Sequence, residues 1–567
     1  LTEARSGFRE PAGLRTFRGM HSANDSATNH PDRNTHGLRR IWLIAGAAAL
    51  LHIVLGFGVM LPAPFSGGDN ATYVALAHSL LERGDYTSIW DPALTPETLY
   101  PPAFPAILAA SIALGGDGWI AFKALLIVIS AIGVACSVLW AARVSTPVVA
   151  AVIGVVIAIS PGVLRHTHYV LSDVPFFAFT LIAFWAFTFI DAKESRRSDT
   201  KWVVVAALAT LLAAMTRSAG LPLVLALGGA LVVRRQWRHV AIFATLAAAP
   251  MLAWSLRSRS LNPNGYSSYL LWADPYRPEL GRIGIFQLIP RALENARQYL
   301  LDMFPQLLVS RVGVPWGIAV LLLLLAVAVW LVRIVRRPGA LETWVLLYTG
   351  ILLIWPVTWR SERYLIVLLP AILFYAAEAF RQLTRVQPSL GRAVAVVATL
   401  ALVLSELPGL RDGIRYADSC RDEYAAGDAF SCTPSTWKAI MQTAAELRGR
   451  MPADAVVLSR KPTLFFVLSG YRSRVYPMSA DPAVFFAEAK SATADYLLLD
   501  DSDLSEQYVQ PVLRSQPDNF CVITEVGRDG GRLLRIEPEA TRTVPQPRDS
   551  VDVVRFATCP LTPSPVP

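Results

Sequence analysis

Ile41-Trp-Leu-Ile-Ala-Gly-Ala-Ala-Ala-Leu-Leu-His-Ile-Val-Leu-Gly-Phe-Gly-Val-Met-Leu61, followed by Pro62-Ala-Pro-Phe-Ser66-Gly-Gly-Asp69-Asn70-Ala-Thr-Tyr73, is the stretch on which the fold turns. The apolar run is long enough to cross a ~30 Å hydrocarbon core. Its far end, Leu61-Pro-Ala-Pro-Phe, lacks the small-residue site at which a signal peptide is cut, so the run reads as an uncleaved first span. Residues 1–40 ahead of it are polar, without apolar periodicity, and read as a disordered cytoplasmic tail.

Working outward, further apolar segments lie at 119–143, 147–164, 174–190, 202–216, 219–233, 239–255, 312–335, 341–357, 364–380 and 392–407. With the first they predict a polytopic α-helical membrane protein of roughly eleven or more spans. The composition agrees: 53% of the 567 residues are hydrophobic and 17% charged, and the mean hydropathy is +0.41, too apolar for a soluble protein. The net charge of +9 is no nucleic-acid footprint, because the basic residues fall in clusters between apolar runs, where they report topology.

With the N-terminus cytoplasmic, the inside loops carry Arg143; Lys193, Arg196, Arg197 and Lys201; Arg234, Arg235 and Arg238; Arg333, Arg336 and Arg337; and Arg381, Arg385 and Arg392. That is the pattern of the positive-inside rule. Segments 62–118, 165–173, the turn near Arg217, 256–311, 358–363 and everything after 408 then share the extracytoplasmic face. The short run Ala103 to Gly115, with Pro101, Pro102 and Pro105 at its start, lies along the membrane or enters it partway. Residues 41–407 form the membrane domain and 408–567 an extracytoplasmic α/β domain with a disordered end. In that domain Ser435–Arg450 reads as an amphipathic helix, and Ala455–Leu458, Tyr496–Leu499, Phe520–Glu525 and Leu533–Ile536 as strands, the last two a hairpin around Arg-Asp-Gly-Gly. It has no Gly-rich phosphate loop and reads as a structural or acceptor-recognition module. Its Cys420, Cys432, Cys521 and Cys559 are compatible with two disulfides in an oxidising compartment, in any of three pairings.

The chemistry-bearing residues collect on this outer face. Asp69 follows two glycines and precedes Ala71–Arg83, an amphipathic stretch expected to lie along the membrane surface; by position alone it is a helix N-cap. His166, His168, Ser172 and Asp173 precede the span that opens Val174-Pro175, where Ser172 or Asp173 also suits a cap. Trp359-Arg360-Ser361-Glu362-Arg363-Tyr364-Leu365 breaks the positive-inside trend. Its arginines suit a lipid phosphate, head-group anchoring or pairing with Glu362. Arg217 is a weaker case of the same kind, and snorkelling accounts for Lys123.

The order of motifs adds to this. An acidic residue after the first span, Ala77-His-Ser-Leu-Leu81-Glu-Arg-Gly84-Asp-Tyr86, Tyr100-Pro-Pro-Ala-Phe-Pro105, Ser172-Asp173-Val-Pro-Phe176 and Arg363-Tyr364-Leu365 with Leu369-Pro370 occur in sequence. The chain thereby resembles the GT-C membrane glycosyltransferases, in the family 39 branch of protein O-mannosyltransferases and bacterial lipid A aminoarabinose transferases, over residues 41–407. The resemblance implies a polyprenyl-phosphate sugar donor and a glycan, lipid or protein acceptor. It casts Asp69 as general base, Asp173 as a second catalytic acidic residue, and Arg360, Arg363 and Arg217 as donor-phosphate ligands. Tyr73, Tyr100, His166, His168 and Tyr364 are expected to line the substrate cavity. Relatives carry Asp-Glu where this chain has Asp69-Asn70, which leaves the involvement of a divalent metal open. A lipid or solute transporter or flippase is the alternative, though it should show repeated halves and interrupted helices near the bilayer midplane, whereas the unusual charges here collect at one outer face.

Overall fold

The computed structural model describes residues 31–64, 69–191, 199–263, 265–310, 313–523, 531–536, 556–559 and 561. It is mostly helical. Helix α1 (Pro31–Gly58) begins inside the stretch read as an unstructured tail. Pro31 is pre-organised for a first turn, and the apolar run from Ile41 gives the helix a stable body from which to extend.

The other helices of the bundle follow the apolar runs: α2 (Asn70–His78), α3 (Ala103–Ala113), α4 (Trp119–Val144), α5 (Pro147–Ile159), α6 (Pro161–His166), α7 (Asp173–Phe187), α8 (Thr200–Thr216) and α9 (Leu221–Val233), then Trp237–Leu261, Val314–Arg336, Ala340–Ile354, Leu369–Val386 and Pro388–Ala425. Among the described residues five helices are long and apolar enough to cross a membrane: Gly37–Gly58, Trp119–Val144, Trp237–Leu261, Val314–Arg336 and Pro388–Ala425. Leu43, Leu50, Val54, Leu321, Leu400 and Leu404 stay exposed on their outer faces. A helix apolar all round with its outer face unpacked is suited to lipid.

Beyond the bundle, Pro388–Ala425 carries the chain into a second unit built on a six-stranded sheet of order β2-β1-β3-β5-β4-β6. Its strands are β1 (Val456–Leu458), β2 (Arg472–Arg474), β3 (Tyr496–Leu499), β4 (Phe520–Ile523), β5 (Arg532–Ile536) and β6 (Ala557–Cys559). β1 pairs parallel with β2 and β3, and β5 lies antiparallel to both β3 and β4. The expected β4–β5 hairpin pairing is thus present; its turn falls on 524–530, outside the described residues. Alternate residues of one strand enter opposite cores, Val456 and Leu458 one, Val457 the other, as the two-residue period of a strand covered on both faces requires. Cys420 pairs with Cys432 and Cys521 with Cys559.

The two units are joined through the first long loop. Ser473 N of edge strand β2 donates to Trp90 O at 2.7 Å, and Arg474 reaches Asp91 at 2.7 Å and Glu488 at 3.4 Å. The helix Pro462–Ser469 packs on α2, with Ala71 and Leu464 in one apolar cluster and a Thr72–Thr463 hydroxyl bond of 3.2 Å.

Candidate active site

The described segment that follows α1 is fixed from behind. Lys123 is 1% exposed, and its ammonium donates to Leu61 O at 2.8 Å and Ala63 O at 2.5 Å. Snorkelling is therefore the wrong account of it: the two carbonyls supply the partners that water would have offered. Nor is α2 the expected half-exposed amphipathic helix. Asn70 through Ala77 are all buried, because α3 covers one side and Pro462–Ser469 another.

Asp69 stands at the N-cap position of α2, yet its side chain makes no capping hydrogen bond. One turn on, the Tyr73 hydroxyl bonds Ser172 Oγ at 2.9 Å, with its ring against Tyr100 and Phe104. Ser172 likewise makes no cap bond, so this pair ties the start of α2 to the start of α7. Asp173, 5% exposed, is ion-paired through Oδ1 with Arg217, while Oδ2 lies 3.9 Å from Arg363 Nε. Both Oδ2 and that Nε are buried without a hydrogen-bond partner.

Arg217 sits in extended backbone where α8 breaks into α9. Gly220 closes that turn; a Cβ there would come within 2.5 Å of Ala214 Cα. The Tyr364 ring lies 4.9 Å from the Arg217 guanidinium and 5.1 Å from that of Arg363, and Arg363 Nη2 donates to its hydroxyl at 3.2 Å.

Glu362 does not neutralise the arginines beside it in sequence. It binds Arg165 at 3.0 Å and lies 3.9 Å from His166 Nε2. Burial opposes its charge, but His166 and Arg165 outweigh that and hold its carboxyl below the usual range. Arg360 approaches Glu294 at 3.6 Å and keeps Nη1 buried without a hydrogen bond.

These groups surround one cavity of about 1200 Å³. Asp69, Asp173, Arg217, Arg360, Arg363, Tyr73, Tyr100, His166 and Tyr364 all line it. His168 does not, contrary to the expectation for it. Two residues beyond His166, it is 6% exposed and turned inward onto the Gly56 backbone of α1, where burial pushes its imidazole down to about 3. Asn70, at the site of the missing second carboxylate, is also buried in the wall and outside the lining.

Two groups of contributors had no sequence signal. Tyr269 and Tyr276 pack with Trp359 as an aromatic shelf, at centroid separations of 5.5 and 6.2 Å. The second unit closes the cavity with Val475, Tyr476 and Glu488, and with Lys461. Lys461 stands immediately before Pro462 in a segment that looks like ordinary domain surface. Among the described residues no group of three His, Cys, Asp or Glu side chains gathers as a metal site.

The arrangement sets a carboxylate that makes no cap bond in the same cavity as three guanidiniums, two of which keep buried N–H groups without a hydrogen bond. An oxygen-rich anion fits the guanidiniums, and the free carboxylate can accept a proton.

The architecture is that of the GT-C glycosyltransferases. The Archaeoglobus fulgidus oligosaccharyltransferase in complex with zinc and sulfate superposes with a TM-score of 0.53 at 12% identity, over 86% of this chain and 72% of that one. ArnT from Cupriavidus metallidurans superposes in its apo state with a TM-score of 0.52 at 15% identity, over 88% and 98%. Its undecaprenyl phosphate complex gives 0.50 at 14% identity, over 89% and 99%. No protein-family model and no curated protein matches the sequence.

Proposed function

We propose that this GT-C chain is an integral membrane glycosyltransferase of the family 39 kind, moving a sugar from a polyprenyl-phosphate donor to an extracytoplasmic acceptor with inversion. The observation that carries the reading is the meeting, in one cavity, of an Asp69 carboxylate that makes no cap bond with Arg360 and Arg363 guanidiniums that keep buried N–H groups without a hydrogen bond. That ArnT was solved with undecaprenyl phosphate supports a lipid phosphate as the occupant.

In this reading Asp69 takes the proton of the acceptor hydroxyl as its oxygen attacks the anomeric carbon. The carbon–oxygen bond to phosphate breaks on the opposite side, and its electron pair stays on the polyprenyl phosphate. Arg363 and Arg360 meet that growing charge with donors already held in place, so little reorganisation is needed at the moment of reaction. Arg217 is held by Asp173 and stacks on Tyr364, so its part is to keep Asp173 and Arg363 in register. The Tyr269–Tyr276–Trp359 shelf offers rings for the sugar.

The topology that goes with this has roughly eleven spans, a cytoplasmic N-terminus, and the cavity and α/β domain outside. The unusual charges gather at one end of the bundle instead of along a central path, which speaks against a transporter. The test is mass analysis of cell-envelope glycans from a strain lacking the protein against its parent. One sugar substituent should disappear and return with the wild-type chain; identical envelopes would sink the proposal.

A further inference from the structure

Among the ionised side chains of the cavity, most are already engaged. Asp173 holds Arg217 and lies 3.9 Å from Arg363, Glu362 holds Arg165, Glu488 faces Arg474 and Arg360 faces Glu294. Asp69 and Lys461 remain, and among the described residues neither side chain makes a hydrogen bond or an ion pair. They feel each other's charge without being close enough to pair. An ammonium and a carboxylate that face one cavity and stay apart leave room for a group that satisfies both.

Their positions are fixed by the domain contact. Asp69 opens α2 and Lys461 immediately precedes Pro462–Ser469; the Thr72–Thr463 bond and the Ala71–Leu464 contact lock the first turns of the two helices together. The helix starts therefore present both side chains to the same space. Lys461 also belongs to the wall made by the second unit, with Val475, Tyr476 and Glu488, whereas Arg217, Arg360 and Arg363 come from loops of the bundle. In the glycosyl-transfer reading the bundle arginines take the lipid phosphate, which leaves the wall made by the second unit to the acceptor.

We infer that Lys461 is an acceptor-side catalytic residue: its ammonium donates to an oxygen of the acceptor while Asp69 removes the proton from the attacking hydroxyl. This rests on the glycosyl-transfer reading above. Lys461 neither gains nor loses a proton in the step. The hydroxyl proton passes to Asp69, the oxygen pair forms the bond to the anomeric carbon, and the phosphate leaves with the pair of the broken bond. The ammonium orients the acceptor and lowers the cost of negative charge on its oxygen.

The groups facing Lys461 are Asp69 at the start of α2, Arg363 from the bundle and Arg460 on its own segment. Burial and the two arginines push the Lys461 ammonium below the usual lysine range, and Asp69 opposes them. Transfer should therefore fall on the alkaline side as Lys461 loses its proton, and arginine at this position should move that limb upward.

The test uses the full chain in lipid nanodiscs as wild type, Lys461→Ala, Lys461→Arg and Arg363→Ala. Undecaprenyl phosphate is the probe for the lipid side. For transfer, the lipid-linked sugar extract and the envelope fraction of the deletion strain serve as donor and acceptor. Lys461→Ala should lower transfer by about 10- to 100-fold, the loss expected for a bond to a charged group, with undecaprenyl phosphate binding near wild type. Lys461→Arg should recover most of the transfer and extend the alkaline limb. Equal loss of undecaprenyl phosphate binding in Lys461→Ala and Arg363→Ala would move Lys461 to the donor. Unchanged transfer in Lys461→Ala, or Lys461→Arg no better than Lys461→Ala, would remove its role. A wild-type chain that neither binds undecaprenyl phosphate nor transfers sugar overturns the glycosyl-transfer reading itself, which the variants alone do not.

Discussion

Asp69→Asn separates a catalytic carboxylate from a helix cap more cleanly than any other change in this chain. Asparagine keeps the volume and is as good an N-cap as aspartate, but it cannot take a proton. The structure gives Asp69 no capping bond to lose, so the folded state should change by less than about 0.5 kcal/mol. A general base contributes about 10²- to 10⁴-fold to rate, which at about 1.4 kcal/mol per decade is roughly 3–5 kcal/mol of barrier. The predicted signature is thus a collapse of transfer with an unshifted melting midpoint and normal undecaprenyl phosphate binding. A second consequence concerns Lys461: Asp69 is the group that supports its charge, so the variant's ammonium should titrate lower still. The assay is sugar incorporation into the envelope fraction beside a thermal melt of the same preparation. Retention of more than about a tenth of the wild-type rate would refute the base assignment, since that loss is smaller than general-base catalysis supplies. A lowered melting midpoint with near-normal transfer would make Asp69 a cap after all.

Arg217→Ala should destabilise the chain by about 3–5 kcal/mol, because it leaves the buried Asp173 carboxylate without its partner; a melt like wild type would show that the ion pair is dispensable. Unfolding without reductant in the presence of an alkylating reagent should label Cys136, the free cysteine, and spare the four in the disulfides. Those links span separations of 12 and 38 residues, so removing Cys521–Cys559 should cost slightly more, about 4 against about 3 kcal/mol. Labelling of any of these four in non-reduced protein would contradict the pairing. Glu97 accepts the backbone N–H groups of Thr98, Leu99 and Tyr100 at 2.9, 2.6 and 3.2 Å. Glu97→Ala strands these donors at about 1–3 kcal/mol each where they stay buried and should displace the Tyr100 wall, whereas Glu97→Gln keeps an acceptor oxygen. Equal transfer rates in the two variants would argue against that role.

The bundle was legible because hydropathy is a property of consecutive residues: the runs at 119–143 and 312–335 became Trp119–Val144 and Val314–Arg336. The four strands expected in the second unit were legible for the same reason. β2 (Arg472–Arg474) was not, since Arg-Ser-Arg has no strand pattern and is held by pairing with β1. The loop arginines could be picked out because Arg360 and Arg363 violate a charge rule, and Asp173 because it stands at the start of an apolar run. What sequence could not supply was direction. His166 and His168 are two residues apart, yet one faces the cavity, held by the Gly162 carbonyl at 2.7 Å, and the other faces α1. Glu362, within two positions of both candidate cations, spends its charge on Arg165 and His166.

The same limit explains why the second unit looked like an appendage. Arg460-Lys461-Pro462 is an unremarkable surface tripeptide until Pro462–Ser469 is laid on α2, and nothing in either segment announces that contact. Once it is made, the helix that presents Asp69 is buried by residues near its own start and by residues almost four hundred positions later. The Trp90–Asp91 stretch of the same loop is fastened to β2 by Ser473 and Arg474. Both attachments act on the segment between the first span and Tyr100, which forms one wall of the cavity. The α/β unit is therefore coupled to the proposed base twice, once through helix packing and once through the sheet edge. Weakening the second link alone, by Arg474→Ala, should lower transfer while leaving the bundle's melt intact; an unaffected rate would mean that the α2 contact suffices to hold Asp69.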